Sequence, residues 1–377
     1  MGERTEDQQY RHTIGLKEML LKAFNCRLIS NKAIINIFLI SILVFSLPRL
    51  NIMPIIGIES SAHTFGVGIV DNGKILSNVK SVYPIGKTGM IPVKVAEFHK
   101  TNADKTIHQA LEVARIGVDD ISGIGYTMGP GIGPCLRVGM NKAKEMAREL
   151  GLKIVPLNHG MAHIEVAKRL SNMKDPLALY VSGGNSQILK LDAERRHYVV
   201  LGETFDIGVG NMLDSFARKI GLDPAWGSSV AKIAVGGKYV RLPYTVKGMD
   251  FAFAGLMTKA VELSKSISKK DISFSLQETA FAMLCEATER ALLLTKSKEL
   301  CVCGGVAQSE RLKEMLKEIS EEHGIRFGAA PNEFNADNGA MIALLAERVL
   351  KKGYSVNVEE CDYEQKYRVN EVEYLAD

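Results

Sequence analysis

Two histidines four residues apart, His159 and His163, lie in the run Asn158-His159-Gly160-Met161-Ala162-His163-Ile164-Glu165. On a helix that spacing places both imidazoles on one face, near enough to share a metal ion. A metalloprotease with this spacing needs a glutamate directly after the first histidine as general base. Position 160 is glycine, so that chemistry lacks its base. The bare pair is equally compatible with two helix histidines in ordinary hydrogen bonds, and its surroundings have to decide.

Those surroundings favour a site. Ile154–Leu157 reads as a strand running straight into Asn158-His159. The pair therefore falls at a strand's carboxyl end and a helix start, where open α/β sheets hold ligands. Further upstream, Ile55–Ser60 and Phe65–Val70 read as strands joined by Ser61-Ala62-His63-Thr64. The theme recurs about 120 residues on, with strands at Leu177–Ser182 and Gln187–Leu191 around Gly183-Gly184-Asn185-Ser186. Each turn alone is an ordinary hairpin. Repeated, they predict a duplicated α/β architecture whose glycine and serine turns offer N–H groups and hydroxyls to a phosphate.

Amphipathic helices are expected over Val93–Ile116 and Asn141–Leu150, with a strand over Asp119–Met128. Between the last two, Gly129-Pro130-Gly131-Ile132-Gly133-Pro134 is a glycine loop opening a helix, a common anion site. In the second half, Asp206 and Asp214 are available to bind hydroxyls or metal. Leu300–Cys303 is a strand ending in Gly304-Gly305, ahead of a helix over Ser309–His323. Asp337, in Asn335-Ala336-Asp337-Asn338-Gly339-Ala340, precedes a helix over 341–351 and, taken alone, reads first as its N-terminal cap.

The 377 residues suit about two domains, and 46% hydrophobic with 24% charged residues suit a globular protein. The six cysteines form no CxxC pair and read as buried thiols in a reducing cytoplasm, with Cys301 and Cys303 facing the same side of their strand. The net charge of +4 is concentrated at the start. Residues 1–53 hold seven basic and four acidic residues, which leaves 40 against 39 in the remainder. Net charge alone therefore does not advertise nucleic-acid binding. The apolar run Ala33–Leu47 is 15 residues long, short of the roughly 20 needed to span a bilayer. It lies in a 1–53 extension, expected to be either an upstream reading-frame artefact ahead of a start at Met53 or a weakly membrane-prone helix. No stable membrane association is expected.

The blocks GIESSAHTFGVGIVDNG, GPGIGPCLRVG, NHGMAHIE, LYVSGGNSQI, GETFDIGVGN, LPYTVKGMDF, GGVAQSERL and ADNGAMIA stand in this order from Met53 onward. Together they resemble the universal tRNA N6-adenosine threonylcarbamoyltransferase family, in its archaeal/eukaryotic form, the catalytic subunit type of the KEOPS complex. That family was once described as an O-sialoglycoprotein endopeptidase. The resemblance implies the actin/Hsp70/sugar-kinase (ASKHA) fold, with two duplicated α/β domains, 54–165 and 166–377, around a nucleotide cleft. It implies transfer of a threonylcarbamoyl group from threonylcarbamoyl-adenylate to N6 of the adenosine 3′ of the tRNA anticodon. It also implies KEOPS-type partner subunits including a small kinase, and one iron or zinc ion held by His159, His163, Tyr180 and Asp337. No catalytic residue beyond that metal centre is assigned.

The same resemblance implies an adenine-nucleotide site, for the adenylate or ATP, along Tyr180, Ser182, Gly183, Gly184, Asn185, Asp214, Gly227, Ala231, Gly304, Gly305 and Ser309. Here the chain departs from the family. Trp226 replaces a glycine, Ala231 stands where a ribose-binding glutamate is expected, and Ser309 stands for an asparagine. Phe251-Ala252-Phe253-Ala254-Gly255 lacks two hydroxyls, and Phe98 replaces the first of two histidines, leaving His99. These departures keep open a divergent non-catalytic metal-binding paralogue or scaffold subunit. A sugar-kinase-like phosphotransferase would use the turns but leave the histidine pair idle.

Overall fold

The computed structural model describes residues 53–84 and 90–374. The apolar run 33–47 and the expected extension before Met53 lie outside them. From Met53 the described chain belongs to one compact unit. Its first strands are β1 (Ile55–Glu59), β2 (Thr64–Asp71) and β3 (Lys74–Val82), followed by helix α1 (Pro92–Ala114). Strand β4 (Gly123–Gly129), helix α2 (Gly133–Leu150), strand β5 (Lys153–Asn158) and helix α3 (His159–Leu170) follow. The strand expected from Asp119 starts at Gly123, because Val118–Asp120 forms a 3-10 turn. Helix α2 begins eight residues before the expected Asn141, directly on the glycine loop, with Pro134 in its first turn. Proline is favoured there because a first-turn N–H has no intrahelical partner to lose.

The second half repeats the plan. Strands β6 (Leu177–Val181), β7 (Ser186–Asp192) and β8 (His197–Glu203) lead to helices α4 (Val209–Lys219) and α5 (Gly227–Ala234). A two-stranded ribbon of β9 (Val246–Lys247) and β10 (Asp250–Phe251) precedes helices α6 (Ala254–Leu263) and α7 (Lys269–Thr295). The chain continues through β11 (Glu299–Cys303), α8 (Glu310–Glu322), β12 (Arg326–Ala329), α9 (Asn332–Asn335) and α10 (Gly339–Lys351). The two main sheets have orders β3-β2-β1-β4-β5 and β8-β7-β6-β11-β12. In each, an antiparallel meander of three strands is joined to two parallel ones. Helix α3 runs unbroken through residues 165 and 166.

Three apolar clusters define the layering. One packs α1 and α2 on the outer face of the first sheet, and another packs α4, α6, α7 and α8 on the outer face of the second. The third lies between the sheets and contains α3 and α10. Cys301 and Cys303 point into this middle layer while Val302 points outward, the alternation a strand requires. All five cysteines in the described residues are buried free thiols.

Helix α10 returns from the end of the chain to the first sheet, and glycines decide how closely it sits. A Cβ added at Gly68 would fall 2.2 Å from the Ala340 backbone nitrogen, and one at Gly57 2.2 Å from that of Ala343. Neither backbone can yield without moving the helix. Gly68→Ala is therefore expected to cost about 1–3 kcal/mol or more through overpacking, read as a lowered urea midpoint. Gly184→Ala, where an added Cβ meets nothing within 4 Å, should change it by less than about 0.5 kcal/mol.

His99 lies wholly buried on α1 against Phe65, and among the described residues neither ring nitrogen has a partner in good hydrogen-bond geometry. Burial pushes its pKa down to about 4. The folded state holds this ring neutral while the unfolded chain takes up a proton below about pH 6.5. Its contribution is thus intact above pH 6.5 and is lost as pH falls toward 4, by up to about 3 kcal/mol. Urea unfolding of wild type and His99→Leu between pH 7 and 4 should diverge by that amount, with the wild type losing more.

Candidate metal centre and flanking clefts

Asn158 ends β5 and caps α3 by accepting the Met161 N–H at 3.0 Å, so the helix starts at the strand's carboxyl end. One turn then separates His159 from His163, whose ring centroids lie 4.6 Å apart. At α10 the cap is Asn338, whose side-chain oxygen accepts from Met341 N at 3.0 Å. Asp337 is thereby free of the capping role and turns to the histidines. Its Oδ1 lies 3.3 Å from His163 Nε2 and 3.5 Å from His159 Nε2. Ligand atoms of His159, His163 and Asp337 all fall within 4.8 Å of one another. Tyr180, on β6, faces the same middle layer with its ring 5.5 Å from that of His163. The structure thus gathers the four residues expected to hold a metal, from helix, strand and loop of both halves.

A fifth residue was not foreseen from the sequence. Glu59, wholly buried at the end of β1, approaches His159 Nδ1 with Oε2 at 2.9 Å. The same carboxylate accepts the Ser61 N–H and the Thr127 hydroxyl, each at 2.6 Å. A carboxylate only accepts, so His159 carries its proton on Nδ1 and presents Nε2 toward Asp337. Burial alone would raise the Glu59 carboxyl, but the facing His159 ring outweighs it and holds it below the usual carboxylate range. Burial likewise opposes a charge on His159, yet Glu59, Tyr180 and Asp337 hold that ring well above the usual imidazole range. His163, with less help, is pushed down by its burial. Against the same burial, hydrogen bonds from both rings keep Asp337 well below the ordinary carboxylate value. Burial keeps the Tyr180 phenol raised. The centre is a nest of two carboxylates and two imidazoles, largely buried with Asp337 reaching partly into solvent, a donor set suited to a divalent ion.

Two further groups of expected residues lie around it. In the β6–β7 turn, Ser182 Oγ accepts the Asn185 N–H at 3.1 Å, and the start of α4 rests on the turn through Asn211 N to Gly183 O at 2.9 Å. Gly304 needs its φ of +93°, and an added Cβ there would lie 2.4 Å from Val181 O, while Gly305 is open. Asp214 Oδ1 accepts the Gly227 N–H at 2.6 Å and so anchors the start of α5, where Ala231 also lies. The Trp226 ring lies 6.1 Å from that of His63, in the first half's turn, with their planes tilted 35°. Two expected ligands also make structural bonds. Ser309 caps α8 through Leu312 N, and Asp206 accepts backbone N–H groups of Ile207, Phe253 and Ala254.

A cleft of about 360 Å3 opens beside Tyr180 and Gly160 and runs past Asn185, Gln187 and Glu203. Its far wall is the C-terminal segment, with Lys366, Arg368 and Val369, which the sequence reading left without a role. A hollow of about 410 Å3 elsewhere, between Tyr239, Tyr244, Phe274 and Met315, includes none of the centre's residues.

The repeated sheet order and the layering define the actin/Hsp70/sugar-kinase class of fold. Solved structures agree. HypF from T. kodakarensis matches with a TM-score of 0.55 at 17% identity, over 78% of this chain and 46% of that one. HypF in a phosphate- and nucleotide-bound form matches with 0.54 at 13% identity, over the same shares of the two chains. Within that class the sequence is specific. The family model of TsaD, tRNA N6-adenosine threonylcarbamoyltransferase, matches residues 73–344. The enzyme of that name from Thermococcus sibiricus is 46% identical over 321 residues, 84% of this chain and 98% of its own. A probable bifunctional tRNA threonylcarbamoyladenosine biosynthesis protein from Thermoplasma volcanium is 43% identical over 85% of this chain and 61% of its own length. The chain belongs to the tRNA N6-adenosine threonylcarbamoyltransferase family.

Glu59→Gln removes the charge that faces His159 while keeping the shape. It is expected to lower the affinity for an added divalent metal ion about 10–100-fold with the fold retained, measured by metal content after dialysis against a competing chelator. Unchanged retention would remove Glu59 from the centre.

Proposed function

We propose that this chain transfers a threonylcarbamoyl group from threonylcarbamoyl-adenylate to N6 of the adenosine 3′-adjacent to the tRNA anticodon. The observation that carries the reading is the convergence of Asp337 with His159 and His163 in a chain of this family. His159, His163, Asp337 and Tyr180 would hold an iron or zinc ion, for which two imidazoles and two oxygens are suitable. When bound, that ion supplies Lewis-acid polarisation of the mixed anhydride.

The rest is positioning by the chain. Glu59 fixes the His159 tautomer. Gly184 and Gly305 leave backbone N–H groups open to approach by the adenylate, since no side chain stands over them. The Trp226 ring, opposite His63, gives the adenosine side an aromatic face in place of the carboxylate missing at Ala231. The N6 amine attacks the carbamoyl carbon, the bond from that carbon to the phosphate oxygen breaks, adenylate leaves with the electron pair, and N6 gives up one proton.

The bifunctional name of the Thermoplasma relative, which extends beyond the matched region, supports a second activity working beside this one. We assign KEOPS-type partners including a small kinase to that role. We place the enzyme in the cytoplasm, where tRNA is modified. No helix among the described residues is long and apolar enough to cross a membrane. The two halves are taken to divide near residue 165.

Purified protein with its partners, threonylcarbamoyl-adenylate and unmodified tRNA should yield modified adenosine by nucleoside mass spectrometry, well above a partner-only control. Chelation should abolish the product and iron or zinc should restore it. Absence of product from the loaded protein refutes the transferase reading. Undiminished product from metal-free protein refutes the role of the ion.

A further inference from the structure

We infer that the 360 Å3 cleft beside Tyr180 is the acceptor subsite: it takes one adenosine extruded from a tRNA loop, and Lys366 holds the phosphate next to it. This rests on the transferase reading and adds where the acceptor enters.

Strand register supplies the first argument. Tyr180 pairs directly with Gln187 across β6–β7, and Gln187 with Glu203 across β7–β8. Directly opposed residues point to the same face. Three polar side chains therefore form a row that begins at the metal centre and leads outward to the edge strand.

Tyr180 also has two different sides. A Cβ added at Gly304 would lie 3.2 Å from its Cδ2, and one added at Gly160 would lie 3.3 Å from its Cε1, diagonally across the ring. Gly304 belongs to the turn assigned to the adenylate, whereas Gly160 lines the cleft. The β6–β7 turn of Gly184 and Asn185, expected along the adenylate, lines the cleft as well, so the acceptor enters beside the donor at this ring.

The lining chemistry selects the ligand. Arg368 donates to both oxygens of Glu203 at 2.9 Å, and Asp206 is occupied by backbone N–H groups, so the acids of the cleft are already matched. Gln187 Nε2 donates to Glu203 at 2.9 Å, which leaves its carbonyl oxygen to accept from an exocyclic amine. Asn185 brings a second amide beside Tyr180. Asn and Gln amides match the donor and acceptor edge of adenine. Lys366 is exposed at the mouth and has no hydrogen bond or ion pair among the described residues. Hydrogen-bonding amides within and a free ammonium at the rim fit a nucleoside with its flanking phosphate. The volume is at the small end for ligand clefts, so a base enters only after leaving its stack.

The test uses the full chain with its partner subunits and an anticodon stem–loop RNA carrying 2-aminopurine at the acceptor position. Binding to wild type should raise the fluorescence as the base unstacks. Lys366→Glu should weaken RNA binding about tenfold, and Lys366→Ala should flatten the slope of log K against log salt by about 0.7. Lys366→Arg should keep both. In the transfer assay Lys366→Glu should raise KM for RNA, with KM for the adenylate and the metal content unchanged. Wild-type transfer with an unaltered RNA KM and Kd in Lys366→Glu, or no fluorescence rise on binding to wild type, overturns the subsite alone. Failure of loaded wild type to transfer at all overturns the transferase reading instead.

Discussion

The seating of α10 on the glycines of β1 and β2 is the contact on which the rest depends. Asp337 is far from His159 in sequence and reaches it only because α10 lies backbone against backbone on the first sheet, with Gly57 and Gly68 beneath Ala343 and Ala340. Any side chain at those glycines would lift the helix by the width of a methyl group. Since interiors are close-packed, that lift would not be absorbed locally. Asn338 completes the arrangement by taking the capping role that its neighbour would otherwise fill. Packing and electrostatics are therefore set by adjacent residues of one loop.

The charges gathered at that point are costly to hide. Glu59 and His159 are removed from water and Asp337 largely so, and ion pairs seldom recover the whole desolvation cost. Two carboxylates beside the histidine pair carry negative charge that a divalent cation would offset, with His159 giving up any Nε2 proton to bind it. The helix carrying both histidines is braced from behind by a second buried network. Glu165, on the same helix, accepts from Tyr374 at 2.9 Å and Tyr198 at 3.2 Å and pairs with Arg348 of α10, while Lys168 donates to Tyr374 at 3.0 Å. Rotation of α3, which would spoil the ligand geometry, would break several of these bonds at once.

Much of this was legible from local pattern. The paired hairpins announced the duplication, and His159 with His163 announced a helix face at a strand end. What periodicity cannot carry is the long-range seat of α10. For that reason Asp337 alone reads first as a helix cap, and only the resemblance to a family points it at the histidines. Glu59 was missed although it had a signal: an acid closes the otherwise apolar strand IIGIE, and buried acids are almost always paired. Asp206 and Ser309 are ambiguous for the opposite reason. Their side chains satisfy backbone N–H groups at element starts, a role any exposed polar residue in a loop can take, and spacing does not separate it from ligand binding.

The C-terminal segment joins both halves of the argument. It bonds the carboxyl ends of β4 and β5 in the first sheet through Glu364 N to Met128 O at 2.9 Å and Asn158 Nδ2 to Tyr367 O at 2.8 Å. A few residues later it bonds the second sheet through Arg368 to Glu203 and through Tyr374 N to Arg196 O at 2.6 Å. A strap fastened at both ends cannot let the sheets separate without releasing one set of bonds. The residues between those fastenings line the cleft beside Tyr180. Any closure of the two sheets on the adenylate would therefore also move the wall against which the acceptor lies, linking donor and acceptor sites by covalent continuity rather than by a relay of side chains.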